Sequence, residues 1–385
     1  MAEDTDQLSG LLAAAEEAAP VDCVDVVARN LRRRLAAEAV SFLIVDLSKK
    51  AAVRMRADGG AESGQEPETI ELAGSVYAQV VRTQRPHQEP AARGTRVIAP
   101  VSSRGDVLGL LEAWLPDAGP AEVGAVCETA RTLAYLVIVN QRFTDLYTWG
   151  RRTTPLSLPA EIQYQLLPAS LSCQAPEFAV AGVLEPSASI SGDTFDYAQD
   201  RHTLHLSVTD PMGHDLNAAL TATVLVGALR GARRVGAGVA EQARRADKAL
   251  LELGRGHATG QLLRIGLADG RAQFVNAGHP WPWRMREGRA EEVTIAVDQP
   301  FGLLSPHAYR TQSLDLRPGD RLVMLTDGML EHGAESLDLA ALMEGTGDQH
   351  PREAALALTA AVLEANDGRL RDDATIMVLD WHGAH

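Results

Sequence analysis

Four aspartates carry the chemistry legible in this chain. Asp193 lies in Ser191-Gly192-Asp193-Thr194-Phe195-Asp196, and Asp210 opens Asp210-Pro211-Met212-Gly213-His214. Between them Leu204, Leu206 and Val208 alternate with His205, Ser207 and Thr209, the period-2 pattern of a half-buried strand. The two acids therefore flank one strand. A continuous apolar run, Leu322-Val323-Met324-Leu325-Thr326, ends in Asp327-Gly328, and Asp372-Asp373 precede a further strand, Thr375 to Leu379. Short, rigid carboxylates at strand ends can hold hard cations through oxygen. With no clustered His or Cys, such a site prefers manganese or magnesium to zinc or copper. Two ions about 4 Å apart polarise a bridging water and clamp a phosphoryl oxygen, which makes hydrolysis of a phosphate ester the natural reaction. Turn or capping duty would explain one such aspartate; it explains four at matching strand ends poorly. His214 is the imidazole nearest the cluster in sequence. It either donates a proton to the leaving oxygen or starts the next helix and bonds locally.

The elements that must position these acids follow from periodicity. A helix is expected over 215–233, with Leu216, Leu220, Val224 and Ala228 on one stripe, and others over 238–254, 337–344 and 351–366. Strands are expected over 178–184, 190–198, 203–209, 261–267, 271–277, 282–286, 291–295, 311–316, 321–326 and 374–381. Two groups of antiparallel strands separated by helical stretches make an α+β arrangement of stacked sheets flanked by helices. A short helix, Ala160 to Leu167 with Ile162 and Leu166 one turn apart, should close at Pro168.

The 385 residues exceed the usual ceiling for one core, so two domains are expected. Ahead of the phosphate chemistry lie an Ala-rich lead-in over 1–19 and a helix from Val21. Strands Val40 to Asp46 and Ala52 to Met55 follow, then a helix over 73–84, a hairpin across Arg104-Gly105-Asp106 and a long helix from Ala121 to Tyr147. That last helix carries a near-heptad stripe suited to pairing with a second copy. Thr148 to Pro159, with Trp149, Gly150, Pro155 and Pro159, marks a linker. A net charge of −15 argues against nucleic acid and anionic membranes as partners. Three dispersed cysteines fit a reducing compartment, and no apolar run approaches the roughly 20 residues of a membrane span. A cytoplasmic protein is expected.

Two resemblances sharpen these readings. Gly74-Ser75-Val76, Val80 to Pro86, Ile98-Ala99-Pro100-Val101 and Gly109-Leu110-Leu111 resemble, in order, the GAF family of small-molecule sensor domains. The resemblance implies a sensor or dimerisation domain over 20–145, with its C-terminal helix, followed by a linker over 146–168. Leu166-Leu167-Pro168, Ser191 to Asp196, Val208 to His214, Asn276-Ala277-Gly278-His279-Pro280, Pro318-Gly319-Asp320, Leu325 to Gly328 and Asp372 to Thr375 resemble PP2C-type serine/threonine phosphatases of the bacterial sporulation and stress-response (SpoIIE/RsbU-like) branch. This second resemblance implies an αββα sandwich over 169–385 holding two Mn²⁺ or Mg²⁺ ions. Asp193 and Asp210 would be shared by both ions, the Pro211 carbonyl would bind one, and Asp327 with Asp372 or Asp373 would hold the other. Asp196 would stand behind them. The implied substrate is a phosphorylated anti-sigma-factor antagonist, and the implied alternative is a catalytically weak binding switch. Family members more often carry glycine at positions 191 and 215, and glycine or valine at 211.

Overall fold

The computed structural model describes residues 2–55, 68–153, 156–187, 191–303, 307–330 and 332–384. The chain divides into two compact units, Met1–Pro155 and Leu156–His385.

The N-terminal unit is built on a six-stranded antiparallel sheet. Its elements are α1 (Ala2–Glu17), α2 (Cys23–Leu35), β1 (Ala39–Val45), β2 (Ala51–Met55), β3 (Thr69–Glu71), α3 (Val76–Thr83), β4 (His87–Pro90), β5 (Thr95–Ser103), β6 (Asp106–Leu115), α4 (Pro120–Asn140) and α5 (Leu146–Gly150). The strand order is β3-β2-β1-β6-β5-β4. Strand alternation sorts the side chains: Phe42, Ile44, Val97, Ala99 and Leu111 pack under α1, α2 and α4, while Leu43, Val45, Ile98 and Leu110 pack under α3. One residue breaks that second apolar face. Glu112 is fully buried there, bonded by Arg54, Arg96, Tyr77 and Ser41.

The long helix expected to Tyr147 ends earlier, at Asn140. Asn140 Nδ2 bonds back to the Leu136 carbonyl at 2.9 Å, a local competitor for the helix ladder, and a turn follows before α5. The linker expected over 146–168 is also shorter. Tyr147 is buried against Cys23, its hydroxyl 3.2 Å from the Pro20 carbonyl, and a Cβ at Gly150 would meet Ile44 at 2.6 Å. Packing thus draws 146–150 into the first unit. Residues 158–166 belong to the second.

The second unit comprises α6 (Leu158–Leu166), β7 (Ser172–Gln174), β8 (Phe178–Glu185), β9 (Thr194–Gln199), β10 (Thr203–Pro211), α7 (Asp215–Arg234), α8 (Val239–Leu253), β11 (Ala258–Gly266), β12 (Ala272–Ala277), β13 (Trp283–Arg286), β14 (Arg289–Glu292), β15 (Gln312–Leu314), β16 (Arg321–Leu325), α9 (Leu339–Gly345), α10 (Pro351–Ala365) and β17 (Ala374–Trp381). Two antiparallel sheets, β15-β12-β11-β10-β9 and β14-β13-β16-β17-β8-β7, share a core that includes Phe178, Phe195, Leu206, Ile265, Phe274, Met324, Met377 and Trp381. Each sheet is covered on its outer face. Leu225, Leu229 and Leu250 of α7 and α8 meet Leu262 and Val275, while Leu358 and Val362 of α10 meet Val323, Ile376 and Val378. The unit is a helix–sheet–sheet–helix sandwich.

The alternation in β10 therefore has a different meaning from a solvated face. Leu204, Leu206 and Val208 enter the inter-sheet core, but His205, Ser207 and Thr209 are also buried. Gln242 of α8 reaches His205 Nδ1 at 3.3 Å, so helices cover the polar side of the strand.

Candidate active site

Both sheets end at the same acidic cluster. Thr194 pairs with Thr209 in the β9–β10 ladder, which leaves Asp193 and Asp210 one step beyond that pair on adjacent strands. In the other sheet, Leu325 pairs with Ile376, and Thr326 N–H donates to the Thr375 carbonyl at 3.0 Å. Asp327 and Asp372–Asp373 consequently flank neighbouring strand ends. Thr326 joins the two sheets: its hydroxyl donates to Asp193 Oδ2 at 2.7 Å, and Thr375 N–H lies 3.0 Å from the same oxygen of Thr326.

Two glycines make the convergence sterically feasible. Gly192 has φ +91°, and a Cβ there would lie 3.0 Å from the Ala218 backbone of α7. At Gly328 a Cβ would sit 2.1 Å from the Asp373 carbonyl oxygen. The Gly in each Gly–Asp or Asp–Gly pair is thus a packing requirement of the cluster.

The electrostatics are those of unneutralised like charges. Asp193 is 1% exposed; burial, then the charges of Asp210 and Asp373, push its carboxyl well above the usual range. Burial, then Asp327 and Asp372, push Asp210 up to about 8. The charge of Asp210 raises Asp193 because two unneutralised carboxylates side by side disfavour the ionised form. All the groups that crowd Asp210 are carboxylates, so the donor set is oxygen-rich, anionic and hard, the chemistry that suits Mn²⁺ or Mg²⁺. Among the described residues, no three His, Cys, Asp or Glu side chains stand close enough together to hold a metal ion as they are placed. The residues fit divalent cations by charge and donor type.

The other expected site residues separate into roles. Asp372 Oδ1 accepts from the Ser191 hydroxyl, and Ser191 Oγ accepts from Asp373 N–H at 3.0 Å, which gives the serine at a position usually glycine a definite structural task. Asp373, expected as a metal ligand, is fully buried and saturated. Its Oδ1 accepts from Ser187 N–H at 2.8 Å, and its Oδ2 from Gln163 Nε2, Ser191 N–H and Gly192 N–H at 2.6, 3.1 and 3.2 Å. It clamps the loop that carries Asp193. Asp196 points away into a salt bridge with Arg230 and Arg233 at 3.0 Å each. Pro211 ends β10, buried and paired with Ala258. His214 caps α7 in an exposed position, with Nδ1 2.7 Å from Asp215 Oδ2, and is not drawn into the carboxylate network. Asp215 has φ +61°, the left-handed region that favours glycine and that aspartate tolerates better than most residues. His279 is buried, with Nδ1 2.7 Å from the Thr259 hydroxyl, and burial pushes its pKa down to about 3.

Sequence reasoning passed over Gln163 and Thr326. For Gln163 the signal was present. Ala160, Gln163 and Leu167 are the buried residues of this segment, at i, i+3 and i+7, whereas the stripe drawn through Ile162 and Leu166 is only half-buried.

Comparison with known proteins supplies the class. Residues 200–382 match the family model described as stage II sporulation protein E (SpoIIE), a span that contains Asp210, Asp327 and Asp372 and begins just after Asp193. This part of the second unit is thus similar to the SpoIIE family. Among curated relatives, phosphoserine phosphatase RsbP of Bacillus subtilis is 27% identical over 152 residues, 38% of each chain. Stage II sporulation protein E of the same organism is 28% identical over 127 residues, 32% of this chain and 15% of that protein. The chain thus spans well under half the length of either. Among solved structures, the RsbU and RsbW domains of a Mycobacterium tuberculosis protein align with a TM-score of 0.49 at 24% identity, covering 55% of this chain and 61% of that one.

Proposed function

We propose that this chain is a metal-dependent phosphatase that hydrolyses phosphoserine or phosphothreonine on a small regulatory protein, an anti-sigma-factor antagonist by resemblance. The carrying observation is the convergence of Asp193, Asp210, Asp327 and Asp372 at one end of the sandwich, three of them inside the matched span. The similarity to a phosphoserine phosphatase supports the substrate chemistry. Asp193, Asp210, Asp327 and Asp372 would hold two Mn²⁺ or Mg²⁺ ions, and the Pro211 carbonyl would add a neutral oxygen. When bound, such ions supply an activated water and neutralise the phosphoryl oxygens. The chain's own residues hold the cluster in shape: Thr326 orients Asp193, Ser191 orients Asp372, and Asp373 fixes the loop between them.

The test is Mn²⁺-dependent release of phosphate from a phosphoserine peptide by the full chain. Activity that disappears with chelator and returns with Mn²⁺ is expected. Equal turnover with and without metal would overturn the reading. The binding-switch alternative draws on the lack of a closed cage among the described residues. The absence of Mn²⁺ binding at millimolar concentration would favour it.

The same proposal gives the N-terminal unit a GAF-like regulatory role in a homodimer. The near-heptad stripe of α4 (Val123, Val126, Ala130, Leu133, Val137) packs into the unit's own core, so pairing would have to use Tyr135 and Val139, 58% and 54% exposed and one turn apart on its outer face. Sedimentation at micromolar concentration should show a dimer. A monomer there would remove pairing through α4 from the scheme.

A further inference from the structure

The large apolar side chains that the second unit leaves in water are gathered at one end. Among the described residues, Met212, Leu216, Trp281, Val297 and Leu303 are exposed, and all lie on or beside loops at the end of the sandwich that holds the acidic cluster. The others exposed in this unit are Leu158, at the start of α6, and Val235, at the far end of α7.

The strand ladders put the five in order. Met212 stands two residues beyond Asp210, and its N–H donates to the His257 carbonyl at 2.9 Å, which holds it where β10 meets β11. Leu216 lies in the first turn of α7, close to Ala218, against which Gly192 packs beside Asp193. Phe301 bridges Ala258, so Leu303, two residues on, is next to the start of β11. Asp298 bridges Ala277 at the end of β12 and brings Val297 there. The loop from β12 to β13 carries Trp281, whose Nε1 donates to the Ile295 carbonyl at 3.0 Å. Trp283 pairs with Val323 of β16, so the chain at Trp281 has reached the level of Leu325, two residues short of Asp327. Two strand spacings separate β10 from β12, roughly 10 Å. The exposed side chains thus form an apolar track that starts at the acidic cluster and follows the end of the first sheet.

Exposed apolar surface gathered in one place marks an interaction site. Charge narrows the occupant. A phosphoprotein brings negative charge to a chain whose formal net charge is −15, so away from the acidic cluster its docking must draw on apolar burial. An extended segment advances about 3.3 Å per residue, so roughly three or four residues span the track.

We propose that this track is the docking surface for the phosphoprotein substrate, and that it selects an apolar side chain about three or four residues from the phosphoserine. The inference rests on the phosphatase reading above and adds the sequence context of the substrate to it.

The probes are phosphoserine peptides of Gly and Ser in which a single leucine is moved along either side, offered to the full chain with Mn²⁺. On one side, leucine about three or four residues away should raise kcat/KM about tenfold over the leucine-free peptide, through KM, the scale of burying part of an aliphatic side chain. Aspartate at the same place should give no gain. Trp281→Ala should cut the preference to about threefold or less. If that variant does not fold, Val297→Asp carries the same test, since it alters an exposed side chain. Val235→Asp, at the far end of α7, should keep the preference whole. Peptides hydrolysed alike wherever the leucine stands, or a preference that survives in the folded track variant, overturn this inference alone. Loss of self-association in that variant with the peptide preference intact does so too, and assigns the face to a second copy. A wild-type chain that releases no phosphate from any peptide overturns the phosphatase reading and this inference with it.

Discussion

Each unit of the chain buries carboxylates, and the two treat them in opposite ways. In the N-terminal unit, burial alone would raise the pKa of Glu112, but hydrogen bonds from Arg96, Tyr77 and Arg54 hold it below the usual carboxylate range. In the C-terminal unit, burial raises Asp193 and Asp210, and the neighbouring carboxylates raise them further. The first cluster is internally neutralised and complete. The second is frustrated as the polypeptide stands, and its repulsion is relieved by added positive charge. Burial thus leads to a neutralised network in one place and a mutually repelling carboxylate cluster in the other, and the sign of the neighbours decides which.

The sharpest way to break this contrast is to remove one member of the frustrated cluster. Asp210→Asn should abolish Mn²⁺-dependent phosphatase activity to below detection. In chelator-treated protein the same variant should be at least as stable as wild type, because a repelling charge is gone. Retained activity in Asp210→Asn, measured by phosphate release, would remove the cluster from the chemistry. Next in size is the complementary change. Glu112→Gln removes the buried counter-charge shared by Arg54 and Arg96 and leaves them only the more exposed Glu68 and Glu89, and breaking a buried pair in that way costs on the order of 3 kcal/mol. Denaturant unfolding followed by hydrogen exchange should localise that loss to 1–155. Opposite signs for the two substitutions are the signature of the comparison.

Much of the acidic cluster in the second unit was legible in the sequence, because its placement is local. Asp210, Asp327 and Asp372 each end or precede a strongly patterned strand, and the strand assignments from Phe178 to Trp381 fall within a few residues of those observed. What the sequence concealed was coverage and partnership. His205, Ser207 and Thr209 read as a solvated face because polar alternation looks the same under water and under α7 and α8. The adjacent Asp372 and Asp373 were indistinguishable until the N–H groups of Ser187, Ser191 and Gly192 were seen to saturate the latter. Glu112 escaped notice for the same reason. A single acid inside Leu110-Leu111-Glu112-Ala113 has no periodic signal, and its partners Arg54, Tyr77 and Arg96 arrive from three other elements.

A pH series offers an intermediate effect. His350 precedes α10, and burial, then the Arg352 charge, push its pKa down to about 4, an environment of the same sign as the charge it would acquire. The fold therefore binds fewer protons at this site than the unfolded chain, whose imidazole titrates near about 6.5. Stability from this group is present above that value and is lost as pH falls toward about 4. His350→Asn keeps a good helix cap but cannot titrate. The stability difference between wild type and His350→Asn should thus move against wild type by on the order of 2 kcal/mol from pH 7 to pH 4. For Glu112→Gln the sign runs the other way. A depressed carboxyl contributes stability that is full above the unfolded carboxylate value and is lost only as pH falls through the folded one. Its wild-type advantage should therefore hold flat across the same range and shrink only below the usual carboxylate range. Parallel pH dependences for the two variants would erase the distinction between like-sign and opposite-sign burial.

The smallest effect tests how the neutralised cluster divides its work. Tyr77 donates its hydroxyl to Glu112 Oε1 at 2.7 Å, and the Arg96 guanidinium lies over the same ring, 5.1 Å from its centroid. Tyr77→Phe keeps the ring, its packing against the α3 face of the sheet and the cation–π contact, and deletes only the hydroxyl. Glu112 would retain Arg54 and Arg96 on its two oxygens, so no buried charge is stranded. The hydroxyl also accepts from Arg54 and Arg96, which both keep Glu112, so the expected cost is dominated by the bond to the charged acceptor, about 1.5 kcal/mol, and Mn²⁺-dependent hydrolysis at 25 °C should not change. A loss as large as that of Glu112→Gln would mean that the phenol, rather than the two guanidinium groups, keeps this carboxylate ionised. The contrast between the units would then rest on hydrogen bonding instead of charge.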